Sequence, residues 1–496
     1  MKNSKVFIPL VFVLSLLLGA GGMYITMAAM NGNDDAVVLE QAEVEELMES
    51  SQNEAQEASS NVDVDLERVE KIEKAYEIIA ERYVDEVDES KLIEGAISGM
   101  LETLDDPYSV YMDQDTAQEF VESLDSSFEG IGAEVSMTNG KVTIVAPFRD
   151  SPAEDAGLRP NDQIIEIDGE DIDGLSLYEA VLKIRGEKGT SVTLTIERPG
   201  VTDQIDLDVV RDVIPIVTVH SEIIEQNDKN IGYLEIRSFS IDTAEDFEEE
   251  LTKLENDGID GLVIDVRGNP GGFLQSVEDI GNLIIPGGEP IVQIEDRDGE
   301  TIRHISNLEE DKEYPIVSLI DEGSASASEI LAAALKEAGG HEVVGKPTFG
   351  KGTVQQTLQM DDGSEIKLTL FRWLTSDGNN INEDGVQPTV EVEQPEFFYV
   401  SPLDIEDPLV YDVSNDHVKS AQVMLEGLGE DPGRTDGYFD RQTEEAVKSF
   451  QEKEDLEVTG EINEETGDRL QEVLIETIQD RESDLQFQKA IELLTE

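Results

Sequence analysis

The spacing of apolar positions changes character several times along the chain, and each change marks an element. From Val6 to Met30 a nearly continuous apolar run follows Lys2 and Lys5. A helix of about 20 residues crosses a bilayer core, so this stretch predicts a membrane anchor behind a cytoplasmic tip at residues 1–5. Residues 31–65 are acidic and poor in large apolar side chains, the pattern of a linker. Helical spacing then begins: Val69, Ile72, Ala75, Ile78 and Ile79 share one face between Leu66 and Arg82. Leu92, Ile93, Ala96, Ile97, Met100, Leu101 and Leu104 share another before Pro107, and Gln114 to Leu124 suits a third helix. Residues 66–124 therefore form a helical N-terminal domain or a dimerisation arm.

From 125 to 212 the period shortens to alternation, with short strands separated by Gly, Asn and Asp turns. Helical spacing interrupts it at Ser176–Lys183, and a brief helix starts at Ser151 and stops before Gly157. Between 213 and 395 the unit strand, turn, helix repeats: a strand at 231–239, a helix at 243–256, a buried strand and glycine turn in GLVIDVRGNPGG (261–272), and a helix at 273–284. PIVSLIDEGSASASEILAAAL repeats the unit, as crossover connections on a largely parallel core would. Asp362-Gly363 marks a hairpin. After a linker at 396–414, residues 415–476 return to helical spacing with glycine turns at Gly437 and Gly460, a three-helix unit, followed by an acidic tail at 477–496 that reads either as an acidic helix or as a frayed end. The fold class is multidomain α/β and α+β.

Composition narrows the function. The chain of 496 residues carries 113 Asp plus Glu against 35 Lys plus Arg, a formal net charge of −78. Such a surface repels phosphates, so nucleic acid is excluded as a first expectation, and it suits a solvated surface in high external salt. The absence of cysteine excludes a thiol nucleophile, disulfides and thiolate metal sites. His220, His304, His341 and His417 are scattered without an HExxH spacing, so a classical zinc peptidase is not expected.

The chemistry concentrates in residues 315–352. A small-residue turn between strand and helix carries Ser324, Ser326 and Ser328, and glycine-flanked Lys351 follows. A hydroxyl at a strand-to-helix turn stands beside free helix-start N–H groups. A lysine amine can take its proton only where its surroundings keep the amine neutral. Local chemistry leaves all three serines open, and also allows them to be caps and packing residues.

DVRGNPGG (265–272), GSASASEI (323–330) and KPTFGKGTVQ (346–355) together resemble the carboxyl-terminal processing peptidases, the tail-specific serine proteases of family S41. The similarity runs in order from about Leu66 to Val392. It implies a mixed-sheet S41 peptidase core with an inserted PDZ module, a helical N-terminal arm, and Ser326 as nucleophile, Lys351 as general base and Gln355 as the residue orienting the lysine. The backbone N–H groups of Ala327 and Gly271, or Gly272 in its place, are then the expected oxyanion donors. Asp265 and Arg267 are expected as a supporting ion pair, and Glu329 as a helix-start residue. Phe128–Gly200 resembles a PDZ domain of the circularly permuted bacterial protease type, with Gly130, Ile131 and Gly132 as the carboxylate-binding loop. Its Arg185 matches a position that couples PDZ to protease body. Residues 415–475 resemble a peptidoglycan-binding-like domain.

These resemblances imply an extracytoplasmic serine endopeptidase, without a metal or organic cofactor, that cleaves protein substrates with accessible apolar C-termini. It would be held in the cell membrane by a single N-terminal span, or secreted if that segment is cleaved, with peptidoglycan and a second copy of the chain as further partners. An inactive PDZ and cell-wall-binding scaffold and a peptidoglycan hydrolase are the alternatives.

Overall fold

The computed structural model describes residues 66–495 apart from 125–126, 139, 149–150, 176, 200, 202–203 and 406. The expected anchor (6–30) and acidic linker (31–65) lie outside the described residues. Backbone contacts divide the chain after Ala96 into two units. In the first, α1 (Leu66–Arg82) and the start of α2 (Glu89–Glu102) form as the apolar spacing predicts. Tyr76 Oη donates to Glu89 at 2.6 Å, while Val69, Ile72, Ile78, Ile79 and Ile93 stay exposed.

The second unit opens with β1 (Val110–Met112) and α3 (Gln114–Leu124). A two-stranded neck, β2 (Ser127–Gly130) antiparallel to β9 (Asp212–Pro215), leads into and out of the PDZ module. Between them come β3 (Ala133–Thr138), β4 (Lys141–Pro147), α4 (Pro152–Asp155), β5 (Gln163–Ile167), β6 (Glu170–Asp171), α5 (Leu177–Ile184), β7 (Ser191–Glu197) and β8 (Ile205–Val210). The sheet order is β3-β4-β5-β7-β8, with β6 paired to β5, so β3 is an edge. Its core is aliphatic: Ile144, Ile164, Val192, Leu194 and Ile196 are fully buried. Arg211, itself buried, donates to the carbonyls of Ile184 at 2.7 Å and Lys183 at 3.0 Å, which closes the C-terminal end of α5.

The peptidase body follows as β10 (Val219–Gln226), β11 (Lys229–Ile236), α6 (Thr243–Asp257), β12 (Gly261–Asp265), α7 (Leu274–Ile284), β13 (Pro290–Glu295), β14 (Thr301–Ile305), β15 (Ile316–Ile320), α8 (Ala327–Glu337), β16 (Glu342–Gly345), β17 (Thr353–Gln359), β18 (Glu365–Leu374) and β19 (Val390–Glu391). Its main sheet runs β10-β11-β12-β15-β16-β19; only β10 is antiparallel to its neighbour. The central strands β12 and β15 are buried at every position, as unbroken apolar runs on a parallel sheet require. A second sheet, ordered β1-β18-β13-β14 with β17 on β18, carries the expected hairpin at Asp362-Gly363.

The C-terminal module is built from α9 (Asp416–Gly427), α10 (Arg441–Lys453) and α11 (Glu464–Gln479). Asn415, Asp440 and Asn463 cap them through their side chains. Two buried glutamines hold its glycine turns: Gln422 Oε1 accepts the N–H of Gly437 at 2.9 Å, and Gln451 Oε1 accepts that of Gly460 at 2.9 Å.

Two segments differ from expectation. The supposed linker 396–414 contributes Leu403 and Leu409 to this module's buried core, because its apolar residues are spaced for packing rather than for solvent. The supposed acidic tail contains α12 (Leu485–Thr495), whose Phe487, Ala490, Ile491 and Leu494 cover Tyr233, Val263, Val317 and Val344 on the peptidase sheet. Its charges lie on one side, and the apolar stripe on the other decides where it goes.

Candidate active site

The parallel strands β12 and β15 are neighbours, and the turns that follow their C-terminal ends lie side by side, the usual position of a site in such sheets. The turn after β15 ends at Ser326, whose φ of 54° and ψ of −111° lie in a region side chains other than glycine rarely adopt. The structure separates the three serines. Ser324 is fully buried and donates from Oγ to Val266 O at 2.8 Å, and Ser328 is fully buried and donates to Asn269 O at 2.9 Å. Ser326 alone keeps its side chain partly open.

The turn after β12 is stitched to it. Gly268 N donates to Asp321 Oδ1 at 2.8 Å, and Ala325 N to Asn269 O at 3.0 Å. Asn269, itself buried, accepts the Gly271 N–H on Oδ1 at 2.8 Å and donates from Nδ2 to Ile236 O at 2.8 Å. This changes the expectation for Gly271. Its N–H is spent on Asn269 and does not point at Ser326. What the position needs is a missing side chain, because a Cβ there would fall 2.8 Å from Ser326 Cβ and 3.0 Å from Ala327 N, with φ at +101°. Gly272, the alternative weighed for the same role, has φ of +148° and packs its Cα side against the Phe239 carbonyl.

Lys351 precedes β17 in a loop shaped by close approach: a Cβ on Gly350 would meet the Glu383 backbone at 2.9 Å, and one on Gly352 would meet Asn382 at 2.9 Å. Its Nζ stands 4.6 Å from the centre of the Tyr108 ring. Burial, and then the positive charge of Lys367, push its pKa below the ordinary lysine value; Glu329 and Asp106 pull it back more weakly. The fully buried Glu329 joins the two halves of the site. Oε2 accepts the N–H of Ser326 at 2.8 Å and of Lys351 at 2.9 Å, while Oε1 accepts Thr348 Oγ1 at 2.6 Å and the Gly350 N–H at 2.7 Å.

The profile of peptidase family S41 matches residues 230–392, that of a PDZ domain 130–209, that of a peptidoglycan binding domain 414–470, and that of the activating protease CtpB N-terminal domain 16–116. The chain is 49% identical over 481 residues, 97% of each protein, to the carboxy-terminal processing protease CtpB of Bacillus subtilis (strain 168). It belongs to the carboxy-terminal processing proteases of family S41. The same organism's carboxy-terminal processing protease CtpA is 42% identical over 431 residues, covering 86% of this chain and 90% of that one. A protein of Staphylococcus aureus (strain COL) named "Probable CtpA-like serine protease" is 36% identical over 417 residues, covering 83% of this chain and 82% of that one.

As a serine-type S41 peptidase, the chain brings some expected residues together and leaves others apart. Ser326 and Ala327, at the turn after β15, meet Gly271 of the turn after β12. Gln355 lies on β17, where its Nε2 donates to Thr353 Oγ1 at 2.9 Å and Thr369 Oγ1 at 3.0 Å. With both amide hydrogens used, the group it can offer a lysine ammonium is Oε1. Asp265 and Arg267 form the expected pair, Arg267 Nη2 to Asp265 Oδ2 at 2.6 Å.

Trp373 is a core residue, as its apolar setting suggests, but two contacts of Lys351 were not legible in the sequence: Trp373 Nε1 donates to the Lys351 carbonyl at 2.7 Å, and the ring of Tyr108 faces the Lys351 amine. Trp373 is the only tryptophan in the chain, a signal available before the structure. Tyr108 left none.

In the PDZ module of this protease, Gly132 has φ of +74° and a Cβ there would strike Ser151 Cβ at 2.6 Å, so the 130–132 loop is pressed onto the start of α4. Ile131 is buried, its carbonyl accepting Ala153 N at 2.8 Å. Edge strand β3 runs beside α5 from this loop. The Arg185 guanidinium stacks 4.8 Å from the Phe128 ring, over a cleft of about 640 Å³ that also takes in Gln118, Leu182 and Val213.

Proposed function

We propose that this chain is an extracytoplasmic endopeptidase that receives protein C-termini in its PDZ module and cleaves with a Ser326–Lys351 dyad. The observation that carries the dyad is the sharing of one carboxylate oxygen by the backbones of Ser326 and Lys351. It ties the backbones of Ser326 and Lys351 to a common point, which supports the reading, while Ser324 and Ser328 are committed to the backbone.

In the proposed reaction Ser326 Oγ attacks the scissile carbonyl carbon as its proton passes to neutral Lys351 Nζ. The resulting oxyanion takes the Ala327 N–H, with room for it provided by Gly271. The C–N bond breaks, Lys351 returns the proton to the departing amine, and an ester remains on Ser326. Water, deprotonated by Lys351, attacks that ester and restores the serine. Gln355 holds the lysine without adding negative charge.

The substrate tail enters as an added strand on β3, beside α5, with its carboxylate at the 130–132 loop and apolar side chains toward the PDZ core. Arg185, stacked on the neck, links that event to the body. Residues 6–30 hold the chain in the membrane with the body outside, or release it if they are cleaved; the exposed apolar face of α1 and α2 meets a second copy, and the C-terminal module contacts peptidoglycan.

The test uses an unfolded protein with a free apolar C-terminus, digested by the parent, Ser326→Ala and Lys351→Ala chains. Both variants are expected to lose cleavage, and the parent is expected to show a substrate-sized mass increment on the peptide containing Ser326. Parental rates in both variants would remove the dyad from the proposal.

A further inference from the structure

Arg267 begins the glycine turn that is stitched to Ser326, and its guanidinium is held from two distant parts of the chain. Nε reaches both Asp265 oxygens, at 3.0 and 3.1 Å, and Nη2 reaches Asp265 Oδ2 at 2.6 Å. The remaining contacts come from the start of α12: Nη2 to Asp484 Oδ2 at 2.8 Å, Nη1 to Asp484 Oδ1 at 3.0 Å, and Nη1 to Gln486 Oε1 at 3.0 Å.

This is a built junction. Asp484 and Arg267 side chains are 13% and 18% exposed, and Gln486 is 1% exposed. Gln486 is fixed by donating to Val392 O at 2.9 Å, and Phe487 packs edge-on to Tyr233, whose hydroxyl donates to Asp265 at 2.9 Å. Burial raises the Asp484 pKa, but the hydrogen bond and charge of Arg267 outweigh it and hold the carboxyl below its ordinary value.

We propose that Asp484, with Gln486, is a positioning residue for proteolysis, acting through Arg267 on the turn that supports the nucleophile. The proposal rests on Ser326 being that nucleophile. The path is continuous: Asp484 fixes Arg267, whose turn supplies Val266 O to Ser324 Oγ and Asn269 O to both Ala325 N and Ser328 Oγ. These bonds fix the residues on either side of Ser326. An Asp484 carboxylate is needed because two of its oxygens meet two guanidinium nitrogens in a fork, a geometry that an amide, with one end a donor, does not reproduce. The last helix of the chain thus completes the catalytic body.

The experiment uses the full chain and its Asp484→Asn, Asp484→Glu and Gln486→Leu variants. It measures kcat, KM, the rate at which a fluorophosphonate probe labels Ser326, near-ultraviolet circular dichroism and the melting curve. Asp484→Asn is expected to lower kcat and the labelling rate about 10-fold to 100-fold with KM within about threefold, the cost of a small displacement of reacting groups. Asp484→Glu is expected to recover most of the rate, and Gln486→Leu to lose about threefold to tenfold. A folded Asp484→Asn chain that melts earlier yet labels and turns over within about twofold of the parent overturns the proposal, leaving a purely structural role. Should Asp484→Asn not fold, Gln486→Leu decides by the same rates. Absence of labelling at Ser326 in the parent would instead strike the catalytic reading, and the coupling with it.

Discussion

The backbone N–H groups of Ser326 and Lys351 converge on a single atom, Oε2 of Glu329, at 2.8 and 2.9 Å. A carboxylate is acceptor-only, so all of its lone pairs can serve N–H and O–H donors from two loops at once. Glutamine at 329 would turn a donor toward one of those loops. Glu329→Gln is expected to lower kcat at least about tenfold and to cost about 3 kcal/mol of stability, as buried donors lose their acceptor. Paired chemical denaturation and turnover measurements would check both; an unchanged kcat in a folded variant would show that the shared oxygen does not organise the site.

The serines should divide by consequence. Ser326→Ala should retain the parental melting temperature and lose turnover. Ser324→Ala and Ser328→Ala should lose about 1–3 kcal/mol each, since each removes a donor from a buried carbonyl, while remaining reactive to a serine-directed probe. Labelling of all three variants beside their melts would check the division, and undiminished labelling of Ser326→Ala would contradict it.

In the proposed dyad Lys351 can act as a base only when neutral, and burial with the charge of Lys367 lowers its pKa. Activity should therefore rise with pH through a midpoint below the ordinary lysine value of 10.5. Lys367→Met, removing the neighbouring cation, should move that midpoint upward. Stability carries the same sign: a depressed amine costs nothing above its unfolded pKa, and the burden grows as pH falls from that value to the folded one, below which it stays at its full size. Lys351→Met should accordingly raise the melting temperature at neutral pH and have little effect where the unfolded lysine is also neutral. A pH–rate profile of kcat/KM and melts at two pH values test these signs.

Trp373 is 1% exposed and donates from Nε1 to the Lys351 carbonyl at 2.7 Å. Trp373→Phe keeps an aromatic ring but orphans that carbonyl and leaves a small void. A loss of about 2 kcal/mol is expected, with a fall in kcat larger than any change in KM. Loss confined to KM would assign the tryptophan to substrate binding instead.

The fold was largely legible because its signals are local. Runs such as GLVID and PIVSLI read directly as buried strands, and the turn at Asp362-Gly363 needs no distant partner, whereas the helix expected to reach Pro107 ends at Glu102. What escaped depends on contacts between remote segments. Glu329 reads as a helix-start residue, and nothing nearby says that it will bond to Lys351, 22 positions on. Gly271 reads as an exposed donor until Asn269 is seen to take its N–H. The acidic ending conceals a stripe, Phe487, Ala490, Ile491 and Leu494, whose partners lie on strands more than 100 residues earlier. Family motifs pointed to the turn at Ser326, but the separation of Ser326 from its neighbours became physical only with the partners of Ser324 and Ser328 in view.

Gln394, where the chain leaves the peptidase body, touches the point where it returns: Leu485 N donates to Gln394 Oε1 at 3.0 Å, and Gln394 Nε2 reaches Asp484 Oδ1. The wall-binding-like module is therefore a detour with adjoining gates. A stop codon after residue 395 would strip the sheet of α12, whereas a short splice across the gates would remove the detour and leave the catalytic body whole.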